Sequence, residues 1–440
     1  MTRRLLSAIT IAMPITLLCF LGCSRQGSVT PISMEETGVK VTERESALTE
    51  KDWGAWRGPG GDGIARQQEL VTTWDEEANV IWRADIPGRG HSSPIVVGDT
   101  IFLTSAIDKA GKQLALAYRR TDGAESWRTV LHECEFPGSN KTHLKTSNAN
   151  STIVSDGNRL YTAMFNSGAI FATALDLQGE VVWQKQIAAY SSPFGYAPSP
   201  VVYKSLVVFS VDHIAGGCIT AIDGVTGKTA WRVPRSPACS YASPAIATVG
   251  GVDQLLISGG NAVTSYNPRT GDVFWKTPCS FTATCGTIVT TNNKVFASGG
   301  SPEHETVCLS ATGERLWSAS NHLYEPSPII SGNYLVGVDD NGIALCWDIE
   351  SGERKWRKRL GGNFSSSPMM VGDVIYAPNL EGKTFVFRAG EEFELVAENH
   401  LGDDVYASPA VSGSNLFLRV GINVGSNRCE QLVCIGSSDE

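Results

Sequence analysis

The stretch AIDGVTGKTAW, Ala221 to Trp231, sets a tryptophan four residues after a glycine, and the chain repeats that arrangement. It recurs at Gly123/Trp127, Gly179/Trp183, Gly227/Trp231, Gly271/Trp275, Gly313/Trp317 and Gly352/Trp356. A second phrase keeps step with the first: an apolar run behind Ser-Pro or a similar pair, a turn with Gly, Asp or Asn, then a β-branched or aromatic run, as in SSPIVVGDTIFLT and PSPVVYKSLVVFS. Eight such openings lie between Ser93 and Ser408, on average 45 residues apart. A period of that length marks an array of supersecondary units.

Each unit reads as four short strands. The opening is a hairpin signature, and the closing phrase takes a third strand through a turn into a fourth that ends near the tryptophan. In that turn a leading Asp or Asn bonds to the backbone ahead, and Gly supplies a positive φ. A tryptophan on an outer strand buries about 150–250 Å² against a neighbouring unit. The small residue ten positions earlier (Ala117, Ala221, Ser265, Cys346) leaves room for it. The Gly/Trp pairs therefore read as docking residues between units.

Repeated four-stranded antiparallel sheets of this size point to an all-β fold, an eight-bladed β-propeller, in which radial packing leaves only short, protected edges. The eighth opening, YASPAVSGSNLFLR, is followed by QLVCIG and little else, so it lacks a fourth strand and its tryptophan. The segment TTWDEEANVIWRADI, ahead of the first opening, holds a strand ending around Trp82 with no unit of its own. That N-terminal strand is expected to complete blade eight and close the ring. In the seventh unit, VFRAGEEFELV has no tryptophan at Val396 or its neighbours, so that interface is expected to pack differently.

The phrase Ala-x-Asp-x-x-Thr-Gly-x-x-x-Trp, matched in full by Ala221, Asp223, Thr226, Gly227 and Trp231, resembles the docking repeat of quinoprotein-type (PQQ-like) eight-bladed propellers. The resemblance covers roughly residues 72 to 436. That superfamily holds both pyrroloquinoline-quinone dehydrogenases and the non-enzymatic BamB lipoproteins of outer-membrane protein assembly. The resemblance implies the fold and leaves function to the site.

The N-terminus implies an address. Arg3 and Arg4 precede an apolar run from Leu5 to Leu21, so residues 1–22 read as a secretory signal. FLGC resembles a lipobox with Cys23 as the lipidated residue, and by family analogy Ser24 favours the outer membrane; cleavage by ordinary signal peptidase is the alternative. Residues 23–50 read as a flexible tether, 51–71 as a Gly/Trp-rich arm and 72–440 as the propeller. Trp53 and Trp56 are expected to pin the arm to the side of the barrel near the ring closure. GPGGDG in that arm lacks the Lys and following helix of a phosphate cradle.

A formal charge of −9 argues against a nucleic-acid partner. The basic run RKWRKR, Arg354 to Arg359, straddles a docking tryptophan and reads as a solvated outer strand, with a patch for anionic lipid or an acidic partner as the alternative. Beyond Cys19 and Cys23 nine cysteines remain, of which Cys218, Cys308, Cys346 and Cys434 fall near the small-residue position and read as buried thiols. Cys279 and Cys285 have the spacing for a local disulfide in an oxidising compartment. There is no Cys-x-x-Cys, so neither a structural zinc site nor a c-type haem is supported.

By family resemblance a quinone dehydrogenase would carry an adjacent Cys-Cys pair and a calcium site of Glu, Asn and Asp; the chain has no Cys-Cys dipeptide. HECEFPGSNKTH, His132 to His143, gathers two His, one Cys and two Glu in the longest spacing between openings, and reads either as a metal or substrate site or as a solvated loop. Just before the inner strand of many units stands an aromatic or His: His91, Tyr196, Tyr241, Tyr324, Phe364 and Tyr406. Loops there border one mouth of a propeller channel, so these residues are expected either to form a partner-binding face or to pack beneath the loops. The leading expectation is a monomeric, lipid-anchored envelope scaffold that binds protein partners and needs no cofactor. A periplasmic oxidoreductase using PQQ with Ca²⁺ is the alternative, and a cell-surface carbohydrate or peptide binding module is the third.

Overall fold

The computed structural model describes residues 39–437 apart from 45, 67–68, 134–135, 137–142, 144, 193, 322 and 426. Eight antiparallel blades of four strands follow one another at 95–133, 154–189, 201–235, 245–278, 289–319, 329–359, 369–400 and 410–435. The last of these supplies only three strands. Val80–Ile86 adds the fourth, pairing antiparallel with Asn427–Ile435 so that Trp82 stands opposite Cys434. The ring is thus closed by an N-terminal strand, and it is an eight-bladed propeller.

The docking logic is visible in the register. Opposite each outer-strand tryptophan, on the third strand of the same blade, lies a small residue: Ala117 faces Trp127, Ala221 faces Trp231, Ser265 faces Trp275 and Cys346 faces Trp356. The tryptophan itself packs over the glycine of the following blade. A Cβ on Gly123 would stand 2.5 Å from Trp82, and one on Gly179, Gly227, Gly271, Gly313 or Gly352 would collide with Trp127, Trp183, Trp231, Trp275 or Trp317. These glycines are required twice over, because each also has positive φ. The indole N–H then donates to a carbonyl in the same turn, for example Trp183 to Gly224 and Trp231 to Pro268. Trp356 donates to the Gly390 carbonyl and meets Phe393 edge-on at 5.3 Å.

Blade seven breaks the pattern in a specific way. Its tryptophan position is Ala397, opposite Val386, while Val396 occupies the bulge that every outer strand carries there. Large and small have been exchanged, and the missing bulk arrives from outside the repeat. Trp74, 4% exposed, stacks on Tyr376 with centroids 6.2 Å apart. Its backbone N–H donates to the Asn399 side chain, whose amide donates to the Thr72 carbonyl.

A ring of hydroxyls explains the Ser-Pro openings. The amide of Ser93 donates to Thr152 Oγ1, that of Thr152 to Ser199 Oγ and that of Ser199 to Ser243 Oγ. The relay resumes from Thr287 to Ser327, Ser367, Ser408 and back to Ser93, with N···O distances of 2.9 Å. Between blades four and five the step is replaced: Thr287 Oγ1 accepts the Trp56 indole N–H at 2.9 Å. Each such bond is worth about 1 kcal/mol net.

The arm departs from expectation. It crosses the channel mouth formed by the turns after the inner strands, and it does not lie on the barrel side. Trp53 exchanges backbone bonds with Val96 of blade one, the Gly54 carbonyl accepts from Ser155 of blade two, and Arg57 donates to the Pro328 carbonyl next to blade six. Ile64–Ala65 then pairs in parallel with Met370–Val371 of blade seven. The crossing works because Trp53 is fully buried against inner strands and the extended chain finds backbone partners at both ends. The tether is also shorter than its composition implies: Thr42 and Ala47 donate backbone bonds to Ser205 and Asp156. Residues 1–38, with Cys23 and the secretory segment, lie outside the described residues.

Candidate functional site: a blind funnel on the loop face

With one mouth crossed by the arm, the channel opens on the opposite face, where loops lead into the inner strands. There it forms a funnel of about 610 Å³, with Trp56 among its lining residues and a smaller cavity of about 250 Å³ on the arm side of Trp56. A pocket of this size lies in the range that takes small ligands, about 300–1,000 Å³.

The six lead-in residues divide into two groups. His91, Tyr241, Tyr324 and Tyr406 line the funnel. Tyr196 and Phe364 do not; both are buried beneath the loops, Tyr196 donating its hydroxyl to the Ser210 carbonyl. His91 and Tyr406 stack face to face at 4.2 Å, and the Arg89 guanidinium lies 5.9 Å from the Tyr406 ring centre. Phe194, 44% exposed, meets Tyr241 edge-on at 5.8 Å and His143 at 5.0 Å. Most of HECEFPGSNKTH lies outside the described residues; His132 is the last residue but one of the outer strand of blade one, and His143 joins the funnel.

Sequence reasoning missed Trp56, Phe194, Lys145 and Glu325. Lys145 Nζ donates to Glu325 Oε1 at 2.8 Å, joining the loop before blade two to the lead-in of blade six. Glu325 also accepts from the Ser365 hydroxyl, and its amide donates to Asp340. The signal for Glu325 was its place beside Tyr324 in the lead-in phrase YEPSP, one step from the aromatic position.

Five of the titratable groups here, His91, Lys145, Tyr241, Tyr324 and Cys285, move away from neutrality. Burial, then the charges of Arg89, Arg419 and Arg428, hold His91 well below the usual imidazole value. Burial pushes Tyr241 up to about 12 and raises Tyr324 and the Cys285 thiol. Burial opposes charge on Lys145, but its bond to Glu325 and that carboxylate's charge outweigh this and raise its value. Acid–base catalysis at neutral pH calls for groups poised near 7. None of these is.

Beneath His91 a fully buried ion pair ties blade eight to blade one. Arg419 reaches Glu430 through Nε at 2.8 Å and Nη2 at 2.5 Å, and donates to the Thr104 carbonyl and Ser92 hydroxyl. Glu430 accepts the Gly90 amide in return. All eight described cysteines are free thiols, Cys279 and Cys285 included.

Over residues 33–193, 111–358 and 303–392 the chain matches the family model described as outer membrane protein assembly factor BamB. The chain belongs to this family. A family member of that name from Burkholderia pseudomallei (strain K96243) is 23% identical over 360 residues, covering 76% of this chain and 84% of the relative. The crystal structure of BamB from Moraxella catarrhalis superposes with a TM-score of 0.55 at 12% identity, covering 83% of this chain and 99% of that one. The quinohemoprotein alcohol dehydrogenase from Comamonas testosteroni gives 0.63 at 11% identity, over 89% and 81%. At such identities the superpositions establish the fold that both share.

The alternative expected from the sequence is a quinone with calcium. The residues present do not fit that pair. Among the described residues no group of three or more His, Cys, Asp or Glu could hold a metal ion. The one described carboxylate lining the funnel, Glu325, is engaged by Lys145 and Ser365. The quinone is a polycarboxylate, and the one described lysine there is already neutralised.

Proposed function

We propose that this chain is a non-catalytic binding scaffold of the cell envelope, exported through its first 22 residues, anchored by lipid on Cys23 at the periplasmic side of the outer membrane, and holding protein partners of outer-membrane protein assembly as a monomer. The observation that carries the reading is the funnel's chemistry: described side chains with shifted acidities all move away from neutrality, and the family is named for assembly, not for a reaction. The loop face offers the partner surface. Besides the funnel aromatics it exposes Ile214 and Val424, 69% and 61% accessible, at the turns between second and third strands. Such isolated apolar side chains around a rigid, hydrogen-bonded ring suit a docking rim.

The test is cross-linking in the intact envelope followed by affinity capture. Capture of outer-membrane assembly proteins is expected, and Tyr241→Ala combined with Tyr406→Ala is expected to reduce it at least about tenfold with the unfolding midpoint retained. Capture unchanged by the pair would remove the loop face from the account. Substitution Cys23→Ser is expected to release the protein from the membrane fraction.

The alternative, a PQQ- and Ca²⁺-dependent oxidoreductase, draws on the superposition with the dehydrogenase and on no donor set in this chain.

A further inference from the structure

The funnel's lining has a composition that a generic docking rim would not need. Its described side chains include the rings of Trp56, Phe194, Tyr241, Tyr324 and Tyr406, and Ala197 is the only aliphatic residue among them. Among the described lining residues there is no Leu, Ile, Val or Met. Acyl chains and apolar peptide side chains are recognised by just those flexible aliphatic and thioether surfaces.

What accompanies the rings is hydroxyl and amide. Thr152, Ser199 and Ser243 face the cavity, and each is more than nine-tenths buried. Each hydroxyl oxygen accepts a backbone N–H in the ring described above, at 2.9–3.0 Å. None donates its own proton to a described residue. These three buried hydroxyls line the cavity with no acceptor among the described residues, an arrangement that costs stability unless a ligand or water completes it. Thr146 and Asn150 add further polar atoms at the wall.

The one lysine and the one carboxylate among the described lining residues are paired. Lys145 and Glu325 neutralise each other at 2.8 Å, and His91 stays uncharged because burial and neighbouring arginines oppose its protonation. A phosphorylated or carboxylated ligand would find no free described cation in the wall. A neutral ligand with apolar C–H faces and a hydroxyl edge would find everything it needs. Aromatic rings present negative faces to weakly positive C–H groups, and hydroxyls satisfy hydroxyls. That is the chemistry of a pyranose ring.

We infer that the funnel binds a neutral glycan, a short run of pyranose rings entering from the loop face and stopping at Trp56. The inference goes beyond the scaffold reading and shares the rings of Tyr241 and Tyr406 with it; the trisaccharide titration needs no protein partner, so the two readings fail separately. The glycan can be a free oligosaccharide or part of an envelope polymer; ring stacking and hydroxyl bonding are common to both.

The experiment is calorimetric titration of the purified full chain with maltotriose, cellotriose and chitotriose, alongside tetra-alanine as a neutral peptide, and co-sedimentation with cell-wall sacculi. Saturable binding of at least one trisaccharide with Kd below about 1 mM is expected, with none for the peptide. Phe194→Ala, at an exposed ring, is expected to weaken it about fivefold or more. Leu395→Ala on the outer strand of blade seven is expected to leave it unchanged. Co-sedimentation in addition identifies the polymer as a source; trisaccharide binding alone identifies free sugar. No binding of any trisaccharide, binding unaffected by Phe194→Ala, or binding of the peptide instead would overturn the inference.

Discussion

Trp74 is assigned the place that the repeat leaves empty between blades seven and eight, and a pair of conservative substitutions tests whether it does the same work by a different route. Trp74 and Trp231 are similarly buried, at 4% and 8% exposure. They differ at the indole nitrogen. Trp231 donates to the Pro268 carbonyl at 3.1 Å, whereas Trp74 Nε1 is buried with no hydrogen-bond partner. Replacing either by Phe removes part of a ring and costs about 1–2 kcal/mol in packing. At Trp231 it also strands a buried carbonyl, adding about 1–3 kcal/mol. At Trp74 it strands nothing and relieves an unpaired donor. Equilibrium urea unfolding should therefore place Trp231→Phe below Trp74→Phe by about 1 kcal/mol or more. Trp74→Ala, which empties the space against Tyr376, should cost about 3–5 kcal/mol. Equal penalties for the two Phe variants, or a Trp74→Ala penalty under about 1 kcal/mol, would refute the assignment.

Further outcomes follow from the buried charges. Glu430→Gln leaves the Arg419 guanidinium buried without its counter-charge and is expected to destabilise by about 3–5 kcal/mol in the same assay, with Glu430→Leu/Arg419→Met much milder. His91 lies well below its unfolded value, and burial brings His132 down to about 4. The unfolded chain therefore binds more protons, and stability is lost as pH falls below the unfolded value of about 6.5. By pH 5 each histidine should remove up to about 2 kcal/mol, and His91→Gln should flatten the slope between pH 6.5 and 5 by its share. Thr287→Val deletes the acceptor of the Trp56 indole and should lower stability by about 1–2 kcal/mol while raising proteolytic cleavage within residues 51–66.

The fold was legible because the repeat states its own packing rule. A glycine under each tryptophan and a small residue across from it are local signals that survive in one sequence. Ring closure by a strand carrying Trp82 was legible too, since a strand without a unit and a unit without a strand leave one solution, although the strand begins just before Trp82 and runs on to Ile86 instead of ending there. The arm was not. Its path depends on where the Ser/Thr ring has its gap, and no local pattern distinguishes Thr287 from its seven counterparts until Trp56 is found upon it. The aromatic positions marked one mouth, but Tyr196 and Phe364 occupy the same sequence position as Tyr241 and Tyr324 and are sealed by their loops. Lys145 and Glu325 meet from loops 180 residues apart, a pairing that only the closed ring brings about.

The central claim, that this propeller binds without catalysing, is tested most directly by titrating the purified chain with pyrroloquinoline quinone and Ca²⁺ and following dye-linked reduction with a panel of alcohols and sugars. The account predicts no saturable quinone binding and no turnover. Micromolar binding with substrate-dependent dye reduction would contradict it.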